Sequence, residues 1–169
     1  MTDLLIKLYA LPNSVAPPTG IDIRRAFAAE RRFVSDWVAQ HFTDGWASEC
    51  EISFARLPVA CFVAVRECEL LGFACYDSAA RGLFGPTGVA HAERSHGIGS
   101  ALLLAALHDM QAQGYAYAVI GRPDSAEFYR KHAGAIEIPD SDPGFYRGLL
   151  NRRNAARGAS EAGLSKSEI

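Results

Sequence analysis

One stretch constrains this chain more than any other: residues 97–113, which read Gly-Ile-Gly-Ser-Ala-Leu-Leu-Leu-Ala-Ala-Leu-His-Asp-Met-Gln-Ala-Gln. Helix-forming residues dominate it, and residues 101–107 are apolar on nearly every side. Crossing a bilayer takes ~20 apolar residues, so this run is too short for a membrane span. A helix apolar all round must instead be buried, here against a sheet. Strand-like runs flank it at residues 82–90 and 115–120, which makes a strand–helix–strand crossover. Ahead of it lie two β-rich runs, residues 60–66 and 70–77, parted by Glu67-Cys68-Glu69 as in a hairpin. The expected fold is α/β (α+β): a mixed, mostly antiparallel sheet of six to seven strands with helices packed on it.

The remaining segments extend that pattern. Residues 4–11 read as a strand stopped by Pro12, followed by a loop over residues 13–20. Asp22 is the expected N-cap of a helix in which Ile23, Phe27, Val34, Val38 and Phe42 recur near the helical period, with Phe33 and Trp37 widening the stripe. Gly45 is expected to end it, and residues 46–57 suit a second short helix. A short helix is expected at residues 126–132 and a strand at 136–138. Pro143-Gly144-Phe145-Tyr146 suits a turn feeding a final strand over the site. Residues 1–150 are expected to form one domain. In residues 151–169 only Leu164 and Ile169 are apolar and larger than Ala, so a frayed tail is expected there.

Charge and cysteine usage narrow the setting. Lys plus Arg number 17 against 19 for Asp plus Glu, a formal charge of −2, so nothing electrostatic points to nucleic acid. Residues 1–12 lack a basic region ahead of an apolar stretch, which argues against a signal peptide and for a cytoplasmic protein. Cys50, Cys61, Cys68 and Cys75 include no C-x-x-C pair. Three of them fall in or beside strand-like segments and read as small buried hydrophobes, with a disulfide between two of the four in an oxidising compartment as the other reading. Neither they nor His41, His91, His96, His108 and His132 form a metal-ligand pattern, and no metal is expected.

The chemistry concentrates at residues 89–104, Val-Ala-His-Ala-Glu-Arg-Ser-His-Gly-Ile-Gly-Ser-Ala-Leu-Leu-Leu. The first turn of a helix presents N–H groups without internal partners at the positive end of the macrodipole. Gly97 and Gly99 remove side chains that would hold an anion away, and Arg94 adds a charged donor. Together these suit a phosphate or pyrophosphate. On spacing alone, the glycines serve equally well as a tight strand-to-helix turn. A P-loop is excluded because no Lys is present, and a dinucleotide fingerprint because Leu102 stands where the third Gly belongs.

The pattern Val-x-x-x-x-Arg-x-x-Gly-x-Gly, followed by a Leu-rich helix, resembles the acetyl-CoA signature [Q/R]-x-x-G-x-[G/A] of the GNAT superfamily of N-acetyltransferases. Arg94, Gly97 and Gly99 fall on its fixed positions. Glu127-Phe128-Tyr129-Arg130-Lys131 with Gly134-Ala135 is similar to the family's F-Y-x-K-x-G-F. Leu71-Gly72-Phe73 and Gly88-Val89 match its third and fourth strands. The resemblance covers about residues 3–148, with specific motifs in 87–135.

That resemblance implies acetyl-CoA as co-substrate. Its pyrophosphate would lie on the N–H groups of Ser95, His96, Gly97, Ile98, Gly99 and Ser100. Its pantetheine arm would pair with Thr87, Gly88 and Val89, where the fourth and fifth strands splay apart. The Val89 N–H would stabilise the oxyanion, and Tyr129 would protonate the departing thiolate. Four departures from the family pattern are visible: Ser95 replaces Gly, His91 replaces Pro, Arg122 replaces Asn, and no Asp or Glu lies within residues 82–89. A base could then come from Asp77, Asp124, Glu49 or Glu51, act through water, or be dispensable.

The expected function is therefore transfer of acetyl to a primary amine in a ternary complex. A small-molecule acceptor is favoured over a protein, and a homodimer is plausible from the family. The rival reading is a non-catalytic acyl-CoA sensor of the same fold. A further one is an unrelated α/β domain with a structural loop.

Overall fold

Seven strands and four helices run through the computed structural model, which describes residues 2–150. The strands are Leu4–Lys7 (β1), Asp22–Arg25 (β2), Cys61–Arg66 (β3), Glu69–Tyr76 (β4), Phe84–Val89 (β5), Tyr117–Ile120 (β6) and Ile136–Glu137 (β7). The helices are Arg31–His41 (α1), Asp44–Ser53 (α2), Ile98–Ala112 (α3) and Ala126–Ala133 (α4). The strands form two antiparallel sheets, of order β2-β3-β4-β5 and β6-β1-β7. The tail expected at residues 151–169 lies outside the described residues. Among the described residues, no helix is long and apolar enough to cross a membrane.

The sheets touch at one point, a parallel bridge between Leu83 and Val119, where the Val119 N–H donates to Gly82 O at 2.8 Å. From there, among the described residues, β5 continues with β4 as its only ladder partner. This is the splay expected between the runs at 82–90 and 115–120. Above it, α3 buries Ile98, Leu102, Leu103, Leu107 and Met110 against Leu4 and Ile6 of β1 and Leu71 and Ala74 of β4. On the opposite face, Val34, Val38, Ala47 and Cys50 of α1 and α2 pack on Val63, Phe73 and Cys75. With both faces covered, every β4 residue after Glu69 is buried. That is why the sequence of β4 reads as a continuous apolar run rather than an alternation.

The expected hairpin is present. Its turn is Glu67-Cys68, both at positive φ (47° and 68°), the two-residue turn whose twist matches that of the flanking strands.

The helix expected to begin after Asp22 is not there. Asp22, Ile23, Arg24 and Arg25 form β2 instead, paired with residues from Val65 back to Phe62. Tertiary contacts decide this. The Arg25 guanidinium reaches Asp109 of α3 at 2.5 Å and also Val59 O, and Arg24 takes both Glu30 oxygens at 2.9 and 2.6 Å. Helix α1 starts only at Arg31. Val34 and Val38 keep the expected buried stripe, but Phe27 and Phe33 are 64% and 61% exposed. Gly45 does not end this region either. The break falls at Phe42 and Thr43, and the Thr43 hydroxyl caps α2 by accepting the Trp46 N–H at 3.1 Å.

Among the described residues, no final strand follows residues 143–146; turns take its place as far as residue 150. The buried carboxylate of Asp3 accepts the N–H of Arg122 (3.2 Å) and of Phe145 (2.7 Å), which bends the segment back over the end of β6.

Candidate functional site

The open edge of β5 defines the site. The Ala90 N–H donates to Leu71 O at 2.9 Å, so it points toward β4. Successive N–H groups in a strand point to opposite edges. Gly88 therefore also faces β4, while Thr87 and Val89 turn their N–H and C=O groups into the splay. The Val89 carbonyl, on that edge, accepts Arg94 Nε at 3.1 Å. Arg94 thus braces the strand end as well as flanking the loop, a use that the spacing did not reveal.

The loop after β5 opens onto α3. Its first turn, residues 91–93, is held by two bonds from Arg66 to Glu93, at 3.1 and 2.8 Å. Ser95 and Gly97 then take left-handed conformations (φ 68° and 85°), and Gly97 is the N-cap without any side-chain cap. The first helical bond runs from the Ala101 N–H to Gly97 O at 3.2 Å. The N–H groups of Ile98, Gly99 and Ser100 consequently have no acceptor within the helix. Ile98 is buried and anchors the turn, while Ser95, His96 and Gly97 are exposed. The Ser100 hydroxyl donates to Gly97 O at 2.9 Å and so is directed at the loop. The arrangement can hold an anion through its main chain.

Helix α4 closes the site from the side. Ser125 caps it by accepting the Phe128 N–H at 3.3 Å. Tyr129 lies edge-on to Phe84 of β5 (6.2 Å between centroids) and to Phe128 (5.2 Å). Phe128 and Val89 both flank Gly99: a Cβ there would sit 3.6 Å from Phe128 Cζ and 3.7 Å from Val89 Cγ2. Val89, Gly99, Phe128 and Tyr129 thus form one contiguous cluster. Burial pushes the Tyr129 phenol well above its ordinary range, with the charge of Asp124 adding to the effect, so it stays protonated at neutral pH. Among the described residues, its hydroxyl has no protein hydrogen-bond partner.

The four carboxylates considered as bases part company. Asp77 is fully enclosed and engaged by Arg56 (3.1 Å), the Tyr115 hydroxyl (2.6 Å) and the Gly82 N–H (2.6 Å), so it holds a turn together. Glu51 accepts from Ser35 Oγ at 3.1 Å. Asp124 is exposed at the head of α4. Glu49 is different: it is half-buried and lines an open cleft of about 460 Å³ with Tyr146, Ala79 and Arg147. Burial raises its pKa, and the nearby Tyr146 hydroxyl opposes that in part.

The Tyr146 ring lies on Gly121, directly after β6, where a Cβ would come within 3.0 Å of Tyr146 Cε2. The cleft therefore borders the end of β6. Sequence reasoning missed Asp3, which seats this segment. No local signal could reveal it, because its partners lie 119 and 142 residues away.

Gly88 is the tight contact of the site. A Cβ there would come within 2.3 Å of Cζ of the Phe42 ring, which is itself wedged against Trp37, Trp46 and Phe73. Gly88→Ala is expected to cost ~1–3 kcal/mol, read as a lower midpoint in urea unfolding at unchanged slope. A midpoint equal to wild type would show that the aromatic cluster yields freely.

The sequence model of the Acetyltransferase (GNAT) family matches residues 28–135, more than half of the 169-residue chain. The chain belongs to the GNAT family. The match contains β3 to β6, α3 and α4, and with them Arg94, Gly97, Gly99 and Tyr129, while β1 and β2 precede it. Solved structures share the GNAT fold. A GCN5-related N-acetyltransferase from Sphaerobacter thermophilus aligns with a TM-score of 0.67 at 22% identity, over 81% of this chain and 48% of that one. One from Kribbella flavida gives 0.59 at 17% identity, over 80% and 53%. The glucosamine N-acetyltransferase region of a fungal multi-domain GH3 β-N-acetylglucosaminidase gives 0.61 at 14% identity, over 81% and 19%. The chain thus spans about half the length of the first two and a fifth of the third. Among curated proteins, none matches the chain.

Proposed function

We propose that this GNAT chain transfers acetyl from acetyl-CoA to the primary amine of a small molecule by direct attack, in the cytoplasm. The observation that carries this reading is the convergence of two sets of backbone donors without acceptors among the described residues. The Thr87 and Val89 edge opens into the splay, and the free amides of Ile98, Gly99 and Ser100 begin α3 beside it.

The amide set, with those of Ser95, His96 and Gly97 in the loop, would hold the pyrophosphate. The strand edge of Thr87 and Val89 would hold the pantetheine arm, whereas Gly88, also expected there, turns its main chain to β4 and would offer the arm only a bare Cα between them. The amine nitrogen attacks the thioester carbonyl carbon, and the Val89 N–H stabilises the oxygen as it gains charge. As the carbon–sulfur bond breaks, Tyr129 delivers its proton to the sulfur, and the proton that the nitrogen sheds in becoming an amide restores the phenol. Glu49 accepts the proton that the ammonium form of the substrate must lose, and its carboxylate beside Tyr146 and the cleft favours a cationic small acceptor.

Thiol release with acetyl-CoA and a panel of small primary amines tests the reading. Turnover with at least one amine is expected, and binding of acetyl-CoA with no turnover on any would favour a sensor instead. The pH profile carries a further expectation. Burial raises the Glu49 pKa, so its basic form accumulates only as pH climbs past that elevated value, and the rate rises with it. Tyr129, held higher still, keeps its proton throughout. Glu49→Gln should lower kcat ~100-fold and abolish the acid limb. A variant retaining both rate and limb would remove Glu49 from the role.

A further inference from the structure

Three thiols that are distant in sequence meet between α2 and the sheet. Cys50 comes from α2 and Cys61 opens β3, while Cys75 stands directly opposite Cys61 on β4. Their sulfur atoms all lie within 4.8 Å of one another, and each residue is 0% exposed. The surroundings are apolar: Ala47, Phe54, Val59, Val63 and Phe73 belong to the same buried cluster. The Ser53 hydroxyl, close by, donates to Cys50 O at 2.6 Å. Cys68, the fourth cysteine, is exposed in the β3–β4 turn.

Charge decides what such a site can take. Three thiolates around a monovalent or divalent soft cation leave a net negative charge in an apolar enclosure, which is costly without a counter-charge. Loading such an ion also requires driving off thiol protons. A trivalent centre avoids both penalties.

We propose that Cys50, Cys61 and Cys75 form a site for a trivalent thiophilic metalloid, for which arsenite is the probe. Arsenous acid, As(OH)3, condenses with three thiols to give As(SR)3 and three waters. Each arsenic–oxygen bond is exchanged for an arsenic–sulfur bond, and each thiol proton leaves on a hydroxide. Arsenic stays trivalent, no redox partner is needed, and no net proton is released. The product is neutral, and its lone pair makes a fourth ligand unnecessary, which suits an apolar lining. Because the thiols are enclosed, entry requires α2 to lift locally from the sheet, so the uptake rate should saturate with arsenite concentration. Once loaded, the centre ties α2, β3 and β4 together and should raise the unfolding midpoint.

The test uses the reduced full chain, freed of added thiol and incubated with sodium arsenite. Native mass spectrometry is expected to show one arsenic per chain, and arsenic X-ray absorption three sulfur neighbours and no oxygen. Cys50→Ala should weaken retention at least ~100-fold, whereas Cys68→Ala should retain arsenic as wild type does. The proposal is overturned if the folded protein takes up no arsenic, if the absorption spectrum shows two sulfurs and an oxygen, or if Cys50→Ala binds equally well. Tighter retention of zinc than of arsenite overturns the trivalent assignment. If Cys50→Ala does not fold, the coordination number in the wild-type protein decides.

Discussion

Gly99→Glu is expected to weaken acetyl-CoA binding ~100-fold or more, a loss of ~3 kcal/mol, while the thermal midpoint hardly moves. Gly99 is the second residue of α3, and an added Cβ meets Phe128 and Val89 only at ordinary contact distances of 3.6 to 3.8 Å. A carboxylate in a first helical turn is favoured by the macrodipole, by ~0.3–1 kcal/mol, so the fold gains rather than loses. The same carboxylate competes for the free amides of Ile98, Gly99 and Ser100 and repels an incoming diphosphate. Losing two charge-assisted hydrogen bonds accounts for the magnitude. Gly97→Glu is a poorer probe, because Gly97 sits at φ 85° and any side chain there strains the backbone. Calorimetry alongside thermal unfolding reads both quantities, and undiminished affinity would remove the first turn of α3 from cofactor binding.

Tyr129→Phe should lower kcat ~100-fold or more, leave acetyl-CoA affinity within about twofold, and hold or raise the thermal midpoint. The last expectation follows from the surroundings of the hydroxyl. Its ring packs on Phe84 and Phe128, and Phe can keep those contacts. The hydroxyl makes no hydrogen bond among the described residues, so deleting it breaks none and leaves no protein group unpaired. A stability role predicts the reverse pattern, namely a lower midpoint with turnover retained. Turnover equal to wild type would end the assignment of Tyr129 as the acid.

The two aspects of the site differ in how far the sequence disclosed them. The anion cradle was legible because it is local: a strand end, Arg94, two glycines and an apolar helix lie within residues 89–104. The acceptor side was not, because Glu49, Asp77, Asp124 and Glu51 are indistinguishable carboxylates until burial and partners sort them. Asp77 proves to be enclosed by Arg56, Tyr115 and Gly82, while Glu49 lies beside Tyr146.

What the sequence determined by itself were the features whose causes are short-range. They include the buried helix α3, the Glu67-Cys68 turn and the motifs around Arg94 and Tyr129, whose family resemblance implied the splayed sheet. Only the tertiary structure decided that residues 22–25 form a strand, that Asp3 folds the segment around Tyr146 back over β6, and that three cysteines converge under α2. The physical reason is common to all three. Edge pairing with β3, capture of two distant amides by one carboxylate, and thiol contact between a helix and two strands all depend on surfaces that exist only once the sheet has assembled.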